Sequence, residues 1–141
     1  MEEQYKMGTV LYAEDEDNDV LFMQRAFDKA RFGDKLHVVR NGKEAIDYLS
    51  GIGDFADRNK HPLPALLMLD LDLPVLSGFG VLQWVRNHPG FFTLPTMVFS
   101  SSTRPEEKLK ALRLGANDFI QKPGSGASFS EVIERFRGVQ F

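Results

Sequence analysis

The chain contains no cysteine, which removes disulfides, thiolate metal sites and a cysteine nucleophile from consideration. That absence fits a reducing compartment, and a cytoplasmic protein is expected. Basic charge is not in excess: 17 Lys and Arg stand against 20 Asp and Glu, a net charge of −3. Such a balance is poorly suited to neutralising the phosphates of nucleic acid. No apolar run approaches a membrane span, and the opening Met1-Glu-Glu-Gln-Tyr-Lys-Met-Gly8 is too acidic and polar for a signal peptide. Neither nucleic acid nor a membrane is therefore an expected partner. The chain has no internal repeat and no low-complexity tract, and its three histidines, His37, His61 and His88, share no spacing that suggests a metal or catalytic role. What is present is ordinary globular material, 141 residues with 43% hydrophobic and 26% charged. One domain over 1–141 is expected, with a core from about 8 to 139 and no output domain, because only one helix's worth of chain follows Lys122.

Short apolar clusters alternate with helical patterns. Thr9–Ala13, Leu36–Val39, Leu66–Leu69, Thr96–Phe99 and Asp118–Gln121 read as strands. Helices are expected from Asn18 to about Phe32 with Gly33 as a stop, from Lys43 to Leu49, from Ser77-Gly78 to Arg86, from Pro105 to Leu114 and from Glu131 to Val139. A loop from Gly51 to about Ala65 separates the second helix from the third strand. Several strands are uninterrupted apolar runs, as in a parallel sheet covered on both faces. Right-handed crossovers then give a doubly wound α/β sandwich.

In an open sheet of this class, ligands bind outside the carboxyl ends of the strands. The residues found there are Glu14-Asp15, Asp70, Ser100 and Lys122. Two carboxylates about 5 Å apart repel by roughly 3 kcal/mol at an effective dielectric near 20. Three of them need counter-charge. Lys122 supplies one, and a divalent cation could supply the rest. All-oxygen ligands favour Mg²⁺ over zinc or copper. A Mg²⁺ site beside a free carboxylate, an amine and a hydroxyl is equipment for phosphoryl transfer, with Asp70 as nucleophile and an acyl phosphate as product.

This arrangement resembles the receiver domain of bacterial two-component response regulators over nearly the whole chain, from Val10 to about Val139. The motifs that carry the resemblance are Glu14-Asp15, Asp70-Leu-Asp-Leu-Pro74 with Gly78, Ser100, and Lys122-Pro123. Their separations agree as well, thirty residues from Asp70 to Ser100 and fifty-two to Lys122. The resemblance implies a (βα)5 flavodoxin-like fold with strand order 2-1-3-4-5. It implies that Asp70 is the phosphoacceptor, that Asp15 and Asp70 ligate Mg²⁺, that Glu14 supports the ion through water, and that the backbone carbonyl of Asp72 adds a ligand. Lys122 would neutralise a phosphoryl oxygen, and the Lys122-Pro123 peptide bond would be cis. Ser100 would sense the phosphoryl group and Phe119 would be the aromatic switch. The implied donor is a sensor histidine kinase or phosphotransfer protein. The implied output is protein contact with a downstream protein, or a homodimer through the face of helix four, strand five and helix five. The activity would be limited to the protein's own phosphoryl transfer and autodephosphorylation.

Three departures stand out, the first being Phe119, which cannot make the hydroxyl contacts a Tyr could at the switch position. Asp72 occupies a position where Asn is frequent, and the Gly51–Ala65 loop is longer than usual. That loop, with its Asp57-Arg-Asn-Lys-His-Pro62 stretch, looks like those of stand-alone receivers, including partners of bacterial phytochrome kinases. Two other functions use part of the same residue set. A pseudo-receiver would keep the fold as an interaction module without the chemistry. A haloacid-dehalogenase-type phosphatase also has an apolar strand ending Asp-x-Asp, but its motif normally opens the domain and would leave Glu14-Asp15 without a task. Glu16, Asp17 and Asp19 read as residues that cap and charge the first helix, Ser101, Ser102 and Thr103 as loop polarity, and Trp84 as packing.

Overall fold

The computed structural model describes residues 8–122. The helix expected over 131–139, the Lys122-Pro123 peptide bond and any face that includes helix five lie outside the described residues. Within them the chain runs β1 (Val10–Ala13), α1 (Asp17–Lys29), β2 (Leu36–Val39), α2 (Gly42–Ser50), β3 (Leu66–Leu69), α3 (Gly78–Asn87), β4 (Thr96–Ser100), α4 (Pro105–Arg113) and β5 (Asp118–Gln121). Single 3-10 turns lie at Gly33–Lys35 and Gly53–Phe55. The five strands form one sheet in the order β2-β1-β3-β4-β5, and every neighbouring pair is parallel. The strand order is the one the receiver resemblance implies, and helices α1 to α4 alternate with the strands as the sequence pattern predicts.

Alternation along each strand divides the core in two. Leu11, Ala13, Leu67, Leu69 and Val98 face the side covered by α2, α3 and α4, where Ala45, Leu49, Val81, Leu82, Val85 and Ala111 pack against them. Val10, Tyr12, Leu66, Met68, Met97 and Phe99 face the opposite side with Met23 and Phe27 of α1. Every residue of β1, β3 and β4 is buried, so these strands carry apolar side chains on both faces, as the uninterrupted runs predict.

Helix ends follow local chemistry. Asn41 caps α2 by accepting the Glu44 N–H at 2.8 Å, and the Glu44 carboxylate accepts the Arg40 N–H at 2.7 Å, a variant of the capping box. Helix α1 stops at Lys29 rather than near Phe32. Arg31 takes a left-handed conformation, φ 67°, and the Phe32 N–H reaches back to the Phe27 carbonyl at 2.7 Å. This is a Schellman ending built on arginine instead of glycine, so Gly33 begins the next 3-10 turn rather than stopping the helix.

Candidate functional site

The backbone fixes the site before any side chain is considered. Glu14 follows β1 and its N–H donates to the Val39 carbonyl at 3.0 Å, while Asp70 follows β3 and donates to the Ala13 carbonyl at 3.1 Å. Lys122 follows β5 and donates to the Ser100 carbonyl at 2.7 Å. Each strand end is thus registered on its neighbour. Behind Asp70 the chain must also clear α3. A Cβ at Gly78 would lie 2.2 Å from the Asp70 carbonyl oxygen, and the Gly78 N–H donates to Leu71 O at 3.0 Å. Glycine there lets the start of α3 support the Asp70 loop at a separation no side chain allows.

The side chains converge on one ammonium. Lys122 Nζ lies 2.8 Å from Glu14 Oε1, 2.8 Å from Asp19 Oδ2 and 3.1 Å from Asp70 Oδ2. Glu14 and Asp70 are both buried, at 1% and 4% exposure. The Tyr12 hydroxyl donates to Glu14 Oε1 at 3.0 Å, and the Glu16 N–H donates to Oε2 at 3.2 Å. The Asp72 N–H donates to Asp70 Oδ1 at 3.3 Å. Burial pushes the Glu14 carboxyl up to about 7 against the Lys122 hydrogen bond, and the Asp70 charge adds to the rise. Burial alone would depress the Lys122 ammonium, but the Asp19 and Glu14 carboxylates outweigh it and hold the pKa above its ordinary value. One cation facing three carboxylates leaves the cluster with excess negative charge.

Glu14, Asp15, Asp19, Asp70, Asp72 and Lys122 share a cavity of about 230 Å³, with Glu16 and Ser101 completing its wall. Asp15 is solvent-exposed at its mouth. Among the described residues no group of three or more His, Cys, Asp or Glu side chains is arranged to hold a metal ion by itself. The donors are nevertheless of the kind Mg²⁺ takes, since that ion is usually held by one or two carboxylates and keeps several waters.

Other expected site residues are placed less directly. Ser100 is the last residue of β4 and fully buried, and its hydroxyl accepts the Ser102 N–H at 3.1 Å. Ser101, read from the sequence as loop polarity, is the serine that lines the cavity with Asp70. The Asp72 side chain is exposed and borders a second cavity of about 400 Å³ with Ser101, Ser102, Thr103, Arg104 and Glu107. Phe119 is half-buried against the α2–α4 core and lines a cavity of about 340 Å³ with Ser102, Thr103, Arg104, Pro105, Lys108 and Gln121. Asp19 was missed. Its place in the first turn of α1 predicts only a favourable helix-end charge. No local signal sets it apart from Asp17, which shares that turn; the contact with Lys122 from the end of β5 does. His37 and His61 pack on Tyr48, and His88 packs on Trp84 and Phe91.

Comparison with known proteins bears directly on this geometry. The profile described as response regulator receiver domain matches residues 10–134. The probable methanogenesis regulatory protein FilR2 of Methanothrix harundinacea is 27% identical over 128 residues, covering 91% of this chain and 80% of its own. The transcriptional regulatory protein KdpE of Mycobacterium tuberculosis is 35% identical over 103 residues, 73% of this chain but only 42% of that protein. Among solved structures, response regulator RPA3017 in red light signaling of R. palustris superposes with a TM-score of 0.82 at 34% identity, covering 90% of this chain and 89% of its own. Among the described residues no helix is long and apolar enough to cross a membrane.

Proposed function

Since the chain belongs to the response regulator receiver family, whose members signal through phosphorylation and protein contacts, we propose that Asp70 is the phosphoacceptor of this receiver. The donor is the phosphohistidine of a sensor histidine kinase or phosphotransfer protein. A carboxylate oxygen of Asp70 attacks phosphorus, the phosphorus–nitrogen bond breaks, and the imidazole leaves with the electron pair and takes a proton. The observation that carries this reading is the part-buried Lys122 ammonium, 3.1 Å from Asp70 Oδ2, where it can bind a phosphoryl oxygen attached to that carboxylate.

Glu14, Asp15, Asp70 and the backbone carbonyl of Asp72 would hold Mg²⁺, which when bound offsets negative charge on the phosphoryl oxygens. The excess negative charge around Lys122 favours such a cation. Ser100 and Phe119 supply the readout. The Ser100 hydroxyl exchanges its Ser102 N–H partner for a phosphoryl oxygen, and the β4–α4 loop moves with it. Phe119 then turns into the space beside that loop, and the face containing α4 and β5 binds its target or a second copy of the chain. Phosphorylation biases this two-state equilibrium by binding one state better. Similarity to a regulator of red light signaling and the long loop after α2 support a phytochrome-type kinase as donor.

The test is intact mass after incubation with acetyl phosphate, with and without Mg²⁺, on wild type and Asp70→Asn. One hydroxylamine-labile phosphoryl group that requires Mg²⁺ and is absent from the variant is the expected result. No adduct, together with no Mg²⁺-dependent binding of beryllofluoride, would make the chain a pseudo-receiver. Turnover of a phosphate ester substrate would favour a phosphatase instead.

A further inference from the structure

We propose that Asp19 is a positioning residue: its carboxylate holds the Lys122 ammonium beside Asp70 and competes with the phosphoryl group for it. The inference rests on the receiver reading given above. Sheet order puts β5 three places from β1, so the Lys122 side chain crosses the ends of β4 and β3 to reach the site. Three carboxylates draw it there, Glu14 and Asp19 at 2.8 Å and Asp70 at 3.1 Å. Glu14 and Asp70 belong to the set that would face a cation, and a cation weakens their hold on the lysine. Asp19 comes from α1 and lies outside that set. Its attraction for Lys122 therefore persists when the others are engaged.

The pair is also sheltered. The Lys122 side chain is 9% exposed and that of Asp19 21%, so solvent screens the contact less than an ordinary surface pair. Two residues away on the same helical turn, Asp17 is 89% exposed and bonds Arg40, the usual fate of an acidic helix start. Asp19 keeps the ammonium correctly placed before the donor arrives. Afterwards its negative charge remains beside a lysine that a phosphoryl oxygen also needs, which weakens the lysine–phosphoryl contact.

The experiment titrates the full chain with Mg²⁺ alone, and with beryllofluoride at saturating Mg²⁺, for wild type, Asp19→Asn, Asp19→Glu and Asp17→Asn. With Asp19→Asn, beryllofluoride should bind roughly threefold to tenfold tighter, because Lys122 is no longer shared. Mg²⁺ alone should bind more weakly, because the freed lysine neutralises Glu14 and Asp70 more fully. Opposite signs for the two probes cannot come from damaged folding, which weakens both. Asp19→Glu should stay near wild type, and Asp17→Asn, with the same loss of charge, should change neither affinity as much as twofold, about 0.4 kcal/mol. If Asp19→Asn does not fold, Asp19→Ser removes the same charge and keeps a residue suited to a helix start. Parallel weakening of both probes, no change, or an equal effect from Asp17→Asn would each overturn the inference. Absence of beryllofluoride binding and phosphoryl uptake in wild type would instead overturn the receiver reading itself.

Discussion

Tyr12 lies in β1 and Glu14 just beyond its end, two residues on, and the buried tyrosine hydroxyl donates to Glu14 Oε1 at 3.0 Å. The phenol sits in the apolar layer between the sheet and α1, with its ring 6.4 Å from that of Phe99. It brings a polar donor up from the core to the floor of the site. Burial, followed by the Glu14 charge, raises the phenol pKa well above its usual range, so it stays a neutral donor. Tyr12→Phe keeps the ring packing and removes one donor from a buried carboxylate. The variant should lose roughly 1.5–3 kcal/mol of stability, the usual range for a hydrogen bond to a charged partner. Urea unfolding measures this, and a loss within error of zero would mean that Glu14 does not depend on the phenol.

The metal-free protein should become less stable as pH rises toward neutrality. Burial lifts the Glu14 carboxyl in the folded state to about 7 from an unfolded value near 4.5. Between those values the folded state binds more protons than the unfolded state, so unfolding free energy falls with rising pH and levels off above about 7. Lys122 acts in another window. Its raised pKa adds stability that is fully present below about 10.5 and is lost only at higher pH. Unfolding from pH 4.5 to 8 with chelator present should therefore show a decline that Glu14→Gln reduces. An unchanged slope in the variant would assign the decline to other groups.

Much of this fold is legible in the sequence because most strands are apolar runs bounded by charged or hydroxyl residues. Leu66–Leu69 and Asp118–Gln121 occupy the bounds their composition predicts, and the parallel order follows from helices between every pair of strands. Positions set by tertiary contact are less legible. Nothing local distinguishes Asp19 from Asp17; only the arrival of Lys122 from β5 does. Arg31 ends α1 in a conformation that composition assigns to glycine. The Ser100 hydroxyl accepts the Ser102 N–H of its own loop, a contact set by the backbone after β4.

Val75 lies in the β3–α3 loop at φ 71° with 78% exposure. The Leu76 N–H donates across it to the Pro74 carbonyl at 2.8 Å, a γ-turn that strains a β-branched residue by roughly 1–3 kcal/mol. Its exposed side chain recovers little by packing. Val75→Gly, which removes the Cβ that this turn strains, should raise stability by roughly 0.5–1 kcal/mol in thermal or urea unfolding. A lower midpoint would show that valine makes a packing contribution larger than its backbone strain.

The long connection after α2 is closed by one arginine. Arg58 Nη1 donates to the Tyr48 carbonyl at 2.8 Å and to the His61 carbonyl at 3.1 Å, and Nη2 donates to the Leu49 carbonyl at 2.8 Å. Two of these acceptors are in the last turn of α2, where carbonyls lack helical partners and a cation is favoured. The third is in the loop, so the guanidinium joins the helix end to the segment it leads into. Phe55 and His61 pack on Tyr48 at ring separations of 5.2 and 5.6 Å, and the Tyr48 hydroxyl donates to Pro62 O at 2.9 Å. Arg58→Met keeps much of the stem and removes every donor. It should cost roughly 1.5–3 kcal/mol and expose residues 52–64 to limited proteolysis and hydrogen exchange. The acetyl phosphate reaction proposed for Asp70 should persist, because the loop enters β3 at the end opposite Asp70. Unaltered protection of the loop would mean that the aromatic packing around Tyr48 holds it without the arginine.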